Sequence, residues 1–122
     1  MRKAAISIAC AFAFAAGAQA QDAARGKTLY DSRCVACHSV DDNRVGPAHK
    51  GVFGRKAGAA QDYDYSAALK MSKVVWNEKS LDLWLTGPEQ FIPGQKMGVS
   101  VPKVQDRRDL IAYLRLVSES KK

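Results

Sequence analysis

Cys34, Cys37 and His38 are the residues of this chain best suited to chemistry. Two side chains three positions apart share one side of a helical turn, so both thiols can add to the two vinyl groups along one edge of a porphyrin. The imidazole that follows directly then projects toward the iron and supplies a nitrogen ligand, which is why the order Cys-x-x-Cys-His reads as a c-type haem attachment site. Two other uses of these residues fit less well. A thioredoxin-like dithiol sits where a strand meets a helix in a βαβ unit, and no such alternation follows. A zinc site needs four ligands, usually two separated pairs, whereas the only other histidine is His49 and Cys37 and His38 are direct neighbours.

The first twenty residues stand apart. Arg2 and Lys3 precede an apolar run from Ala4 to Ala16, and Ala18-Gln19-Ala20 closes it. A charged start, an apolar stretch too short to span a bilayer and an A-x-A site make a secretory leader. Residues 1–20 are therefore expected to be cleaved, leaving 21–122 as one domain; a retained membrane anchor is the alternative. Cys10 would leave with the leader, and the polar Ser7 near it argues against lipid attachment. Cys34 and Cys37 then remain, with no structural disulfide outside the motif. A small exported domain without one needs another staple. A covalent porphyrin would serve, and the apoprotein is expected to fold poorly, because a core of this size buries too little apolar surface alone. Attachment after export points to a bacterial-type periplasm.

Net charge falls from +7 to +5 when Arg2 and Lys3 are removed. Export argues against a nucleic-acid partner. A basic face steering an acidic redox protein fits better, although a merely soluble surface accounts for the charge equally well.

The elements that must hold the motif are helical. Asp22 is a plausible N-cap for a helix to about Arg33, with Gly26, Leu29, Tyr30 and Arg33 at helical spacing. Residues 39–60 read as loop, being rich in Gly, Asn, Asp and Pro. Ser66 caps a short helix to Ser72, on which Met71 reads as core filler. Asn77 caps another that carries Leu81, Trp84 and Leu85 and ends near Thr86-Gly87-Pro88. Residues 91–98 read as an extended, turn-bounded loop. A last helix from Asp106 to Ser118 shows Leu110, Tyr113, Leu114 and Val117 on one stripe, with Asp106 and Asp109 favouring its N-terminus. No alternating strand pattern appears, so the class is all-α with long loops.

With these pieces placed, the chain resembles the class I cytochromes c of mitochondrial and photosynthetic-bacterial type. The likeness rests on Gly26, Tyr30, the Cys34–His38 motif, Gly46-Pro47, Gly54-Arg55, Tyr65-Ser66, Trp76, Ile92-Pro93-Gly94, Lys96-Met97 and Asp109 to Leu114. It implies a small fold whose N- and C-terminal helices cross at Gly26 against Tyr113, with long loops wrapped around one covalent haem. It implies Met97 as second axial ligand opposite His38, a soft thioether that raises the potential. Pro47 would accept the other ring proton of His38, and Arg55, Tyr65 and Trp76 would hold a buried propionate. Arg33, Arg44, Lys96 and Lys103 would form a basic rim around the exposed haem edge.

Several positions depart from the family's pattern. His49 stands where an apolar residue is usual; it is a rival sixth ligand, and a solvent-facing or haem-edge position is expected for it. Trp84 replaces a tyrosine, Leu69 an asparagine and Gln95 a threonine. These changes predict a drier pocket in which Trp84 or Gln95 supplies the remaining donor beside the methionine. Glu89 replaces a lysine of the docking face, and the loop between His38 and Pro47 is short. The resemblance implies a monomeric electron shuttle, not an enzyme, and the leader implies the periplasm. The shuttle's partners would be a membrane oxidase, a quinol–cytochrome oxidoreductase or an exported dehydrogenase. A peroxidase-like or gas-binding haem protein with a labile methionine, and a dedicated partner or sensor of one exported dehydrogenase, are the competing functions.

Overall fold

Side-chain caps start three of the four predicted helices. Asp22 accepts a hydrogen bond from the Arg25 backbone and opens α1, Ala23–Arg33. Ser66 caps α2, Ala67–Met71, through the Leu69 N–H. Asn77 and Ser80 cap α3, Glu78–Thr86, reciprocally, satisfying two amides that would otherwise lack acceptors. The computed structural model describes residues 10–12 and 20–120, so the expected leader falls almost wholly outside the described residues.

Two elements differ from expectation. Gly87-Pro88 does end α3, but proline also suits the first position of a helix, and a one-turn α4 runs Pro88–Phe91. The last helix, α5, is longer than the apolar stripe suggested, Val104–Glu119. Among the described residues the only sheet-like pairing is a single bridge between Lys56 and Val75.

α1 and α5 cross at Gly26. A Cβ there would overlap the Asp109 carbonyl oxygen and stand 3.0 Å from Tyr113 Cβ, so only glycine allows this approach. Ion pairs lock the crossing. Asp106 and Asp109 are 2% and 1% exposed, and Arg25 bridges them, with Nη2 2.6 Å from Asp106 and Nη1 on Asp109. Arg33 donates to Asp106 at 3.0 Å, and the Asp22 amide and Gln105 each donate to Asp109 at 2.9 Å. The sequence suggested only a helix-dipole role for these two carboxylates.

Three of the four stripe residues of α5 are buried as expected, Leu110 most completely, and Val117 is partly buried. The stripe meets Leu81 and Leu85 of α3 and Tyr30 of α1 in one core. Met71 does not join that core: it is 78% exposed, while Leu69 is buried. Two residues along a helix turn the side chain by about 200°, since 3.6 residues complete a turn, and a five-residue helix can bury only one face.

Candidate functional site

The thiol motif continues α1 by one turn. The Cys34 N–H donates to the Tyr30 carbonyl at 2.8 Å, and the Cys34 carbonyl accepts from Cys37 at 3.1 Å and His38 at 2.8 Å. Cys34, Cys37 and His38 thereby line one cavity of about 300 Å³ that opens among all the major elements. Burial pushes the Cys34 thiol up to about 11, so it stays protonated at neutral pH.

His38 Nδ1 lies 2.9 Å from the Pro47 carbonyl oxygen. A carbonyl can only accept, so Nδ1 carries the proton and Nε2 keeps a lone pair for a metal. Burial lowers the ring's pKa, against a smaller opposite pull from the Pro47 bond, which favours the neutral, ligating form. Gly46 packs against the same ring. A Cβ there would overlap His38 Cε1 and lie 2.6 Å from both ring nitrogens, and the Gly46 N–H is fixed to the Cys37 carbonyl at 2.8 Å.

Met97 lines the same cavity from the loop before α5. That loop is braced by side chains. Glu89 accepts from the Gly94 amide at 2.9 Å and from Gln95 Nε2 at 3.2 Å, and Gln95 Oε1 accepts from the Met97 amide at 2.5 Å. Gln95 is thus not the pocket donor the sequence suggested. Its amide is committed to the loop, and it does not line the cavity. Trp84 and Leu69 do line it, Trp84 edge-on to Trp76 with ring centroids 5.3 Å apart.

Arg55, Tyr65 and Trp76, the donors the resemblance implies, line the same cavity in an arrangement that no local sequence pattern specifies. The bridge between Lys56 and Val75 sets it: the Trp76 amide donates to the Arg55 carbonyl at 2.9 Å and the Gly54 amide to the Trp76 carbonyl at 2.6 Å. Arg55 gives its Nη1 and Nη2 to the Lys50 and Ala48 carbonyls at 3.2 and 3.0 Å, but its buried Nε has no protein partner. Burial lowers the pKa of this guanidinium, while neighbouring Tyr65 works in the other direction. The Tyr65 hydroxyl accepts from the Ala60 amide at 3.1 Å, which leaves its own proton to give. A half-buried cation with an orphaned N–H beside a hydroxyl donor suits a carboxylate. The residues present therefore fit a haem with one propionate turned inward.

Of the two positions expected for His49, solvent-facing or haem-edge, the first is excluded, because the residue lines the cavity. Its ring stacks on His38, centroids 4.1 Å apart and planes 19° from parallel, and Nδ1 lies 2.8 Å from the Tyr30 hydroxyl. Burial first, then the nearby His38 and Arg55, push it down to about 3. Two ligands opposite each other across an iron cannot stack face to face, so this placement is incompatible with bis-histidine ligation. In the expected basic rim, Arg33 is tied to Asp106, which removes it from the freely mobile cations. Arg44 donates to the Val35 carbonyl at 2.8 Å, beside the motif, and Lys96 and Lys103 are exposed.

An apolar cavity entered by two thiols and a metal-ready imidazole places the chain among small helical proteins that hold haem covalently. A family model described as cytochrome c matches residues 23–118. The chain is similar to cytochrome c of Gibberella zeae, 41% identical over 98 residues that span 77% of this chain and 92% of that one. It is similar also to cytochrome c of Theileria parva, 45% identical over 101 residues, 80% of this chain and 87% of the relative. Among solved structures, cytochrome cH from Methylobacterium extorquens aligns with a TM-score of 0.75 at 41% identity, covering 78% of this chain and 98% of that one. The chain belongs to the cytochrome c family. It binds haem c covalently through Cys34 and Cys37 and is an electron carrier rather than an enzyme.

Proposed function

We propose that the protein is a periplasmic shuttle for single electrons, with His38 and Met97 as the two axial ligands of its haem. The observation that carries this reading is the shared cavity: His38, with Nε2 left free by its Pro47 bond, and the thioether of Met97 line the same space. Both axial positions would come from the chain, leaving none for a substrate.

Bound haem supplies a one-electron iron couple whose potential depends on ligands, burial and hydrogen bonds. The chain's own residues keep that environment constant. Pro47 holds His38; Glu89 and Gln95 brace the backbone of Met97. Arg55, Tyr65 and Trp76 would receive the inner propionate. Leu69 and Trp84 make the wall near the methionine less polar, so a drier pocket than is usual in the family is expected there. Export by the leader at residues 1–20 would place the protein in the periplasm. Its partners there would be a quinol–cytochrome oxidoreductase, a membrane oxidase or an exported dehydrogenase, docking at the edge near Cys34 and Cys37 with Arg44, Lys96 and Lys103 as the basic rim that the resemblance implies.

The test is an optical spectrum of purified holoprotein, oxidised and reduced, with and without carbon monoxide. Low-spin iron in both states and no uptake of carbon monoxide at neutral pH are expected. A high-spin spectrum, or ready uptake, would overturn the proposal in favour of a gas-binding or peroxidase-like protein.

A further inference from the structure

We propose that His49, anchored by Tyr30, is a positioning residue that fixes the plane of the His38 imidazole. The inference rests on the reading of His38 as an iron ligand and goes beyond it. The hydrogen bond from Nδ1 to Pro47 sets the direction of one N–H vector and Gly46 lies close against the ring, yet one bond and a residue without a side chain give the ring no flat surface to lie on, and torsions at such sp³–sp² bonds are broad. A flat partner at van der Waals distance removes that freedom. The His49 ring lies 4.1 Å away and 19° from parallel, so turning His38 would drive its edge into His49.

His49 is itself held at both ends. Its amide donates to the Ser39 carbonyl at 3.0 Å, its carbonyl accepts from Val52 at 2.9 Å, and the next amide, of Lys50, donates to Val40 at 2.8 Å. These bonds clip the segment to the residues that directly follow the haem motif. At the other end, Nδ1 meets the Tyr30 hydroxyl at 2.8 Å. Tyr30 is 2% exposed and tilted against Tyr113, with ring centroids 5.1 Å apart, where α1 and α5 cross. The helix crossing, Tyr30, His49 and His38 therefore form one continuous packed line. An apolar residue at position 49 could fill the space but could not accept or donate at the Tyr30 hydroxyl.

A purely structural role, in which His49 only satisfies Tyr30, makes a different prediction, and two double variants separate the two. Y30F/H49L and Y30F/H49F both delete the polar pair, so neither strands a buried donor or acceptor; only the second keeps a flat ring against His38. In the ferric holoprotein the pattern of the haem methyl proton resonances follows the plane of the axial imidazole. Y30F/H49F is expected to keep the wild-type order and spread of these resonances, and Y30F/H49L to reorder and compress them. Identical patterns in the two doubles would overturn the proposal. If a double is too unstable to purify, Y30F alone decides: a loosened His49 should broaden the methyl lines, and wild-type shifts and widths would count against it. Failure of the parent reading looks different, since unmodified protein would then lack imidazole-ligated low-spin iron altogether.

Discussion

Arg55 shows how much of this site depends on single atoms. Two of its guanidinium nitrogens are spent on backbone carbonyls, and the buried Nε waits for an acceptor. If an inward propionate fills that role, R55L leaves a carboxylate without its cation. Urea unfolding of the holoprotein should then show a loss of about 1–3 kcal/mol. The reduction potential should fall, because a positive charge beside the haem favours the reduced form. Unchanged stability and potential would mean that the propionate lies elsewhere. At this scale the sequence was legible where spacing carries chemistry, as in Cys34, Cys37 and His38, while the role of Pro47 came from the family resemblance. The sequence was silent where the partner is set by tertiary contact. Nothing local says that His49 stacks on His38, that Gln95 serves the Met97 amide, or that Arg33 pairs with Asp106.

Among the elements, the crossing of α1 and α5 is the frame on which the haem turn is mounted, because Cys34 ends α1. Replacing Gly26 by valine forces a side chain into the Asp109 carbonyl, and overpacking of this kind costs about 1–3 kcal/mol. Thermal unfolding of G26V should be earlier than wild type, and an unshifted midpoint would show that the helices slide apart without penalty. Acid should weaken the same junction. Hydrogen bonding from Arg25 holds the Asp106 carboxyl below the usual range. At Asp109, burial opposes ionisation but is outweighed by bonds from Arg25, the Asp22 amide and Gln105. Both folded values lie below the unfolded one of about 3.9, so as pH falls the unfolded chain takes up protons first. The stabilisation is present above that value and is lost as pH drops through the folded values. Urea midpoints should hold from neutral pH to about 4 and decline steeply below it, and D109N should start lower and decline less. Helix starts were readable because Asp22, Ser66 and Asn77 are side-chain caps written locally. The one-turn α4 was missed because Pro88 both ends one helix and begins the next. The bridge between Lys56 and Val75 was missed because it joins segments that only the fold brings together.

Among the described residues, helices and long loops surround one cavity, with no disulfide available among the described cysteines other than the haem-binding pair. Leu69, Leu81, Leu85, Val101, Leu110 and Leu114 all face that space, so haem completes the core as well as supplying the redox centre. C34S/C37S, which cannot attach haem covalently, should show far-UV circular dichroism of a largely unfolded chain; native helix content without haem would contradict this. No helix among the described residues is long and apolar enough to cross a membrane. All-α architecture could be read from period and capping, whereas the crossing of the terminal helices and the donors around Arg55 were expected only from the family resemblance, because no local pattern brings those segments together. The central claim, an iron held by His38 on one side and Met97 on the other, is tested most directly by X-ray absorption at the iron edge of the holoprotein in both oxidation states. One sulfur neighbour at bonding distance in both ferric and ferrous protein is the expected result. An iron with no sulfur neighbour, or one that loses it on reduction, would contradict the account.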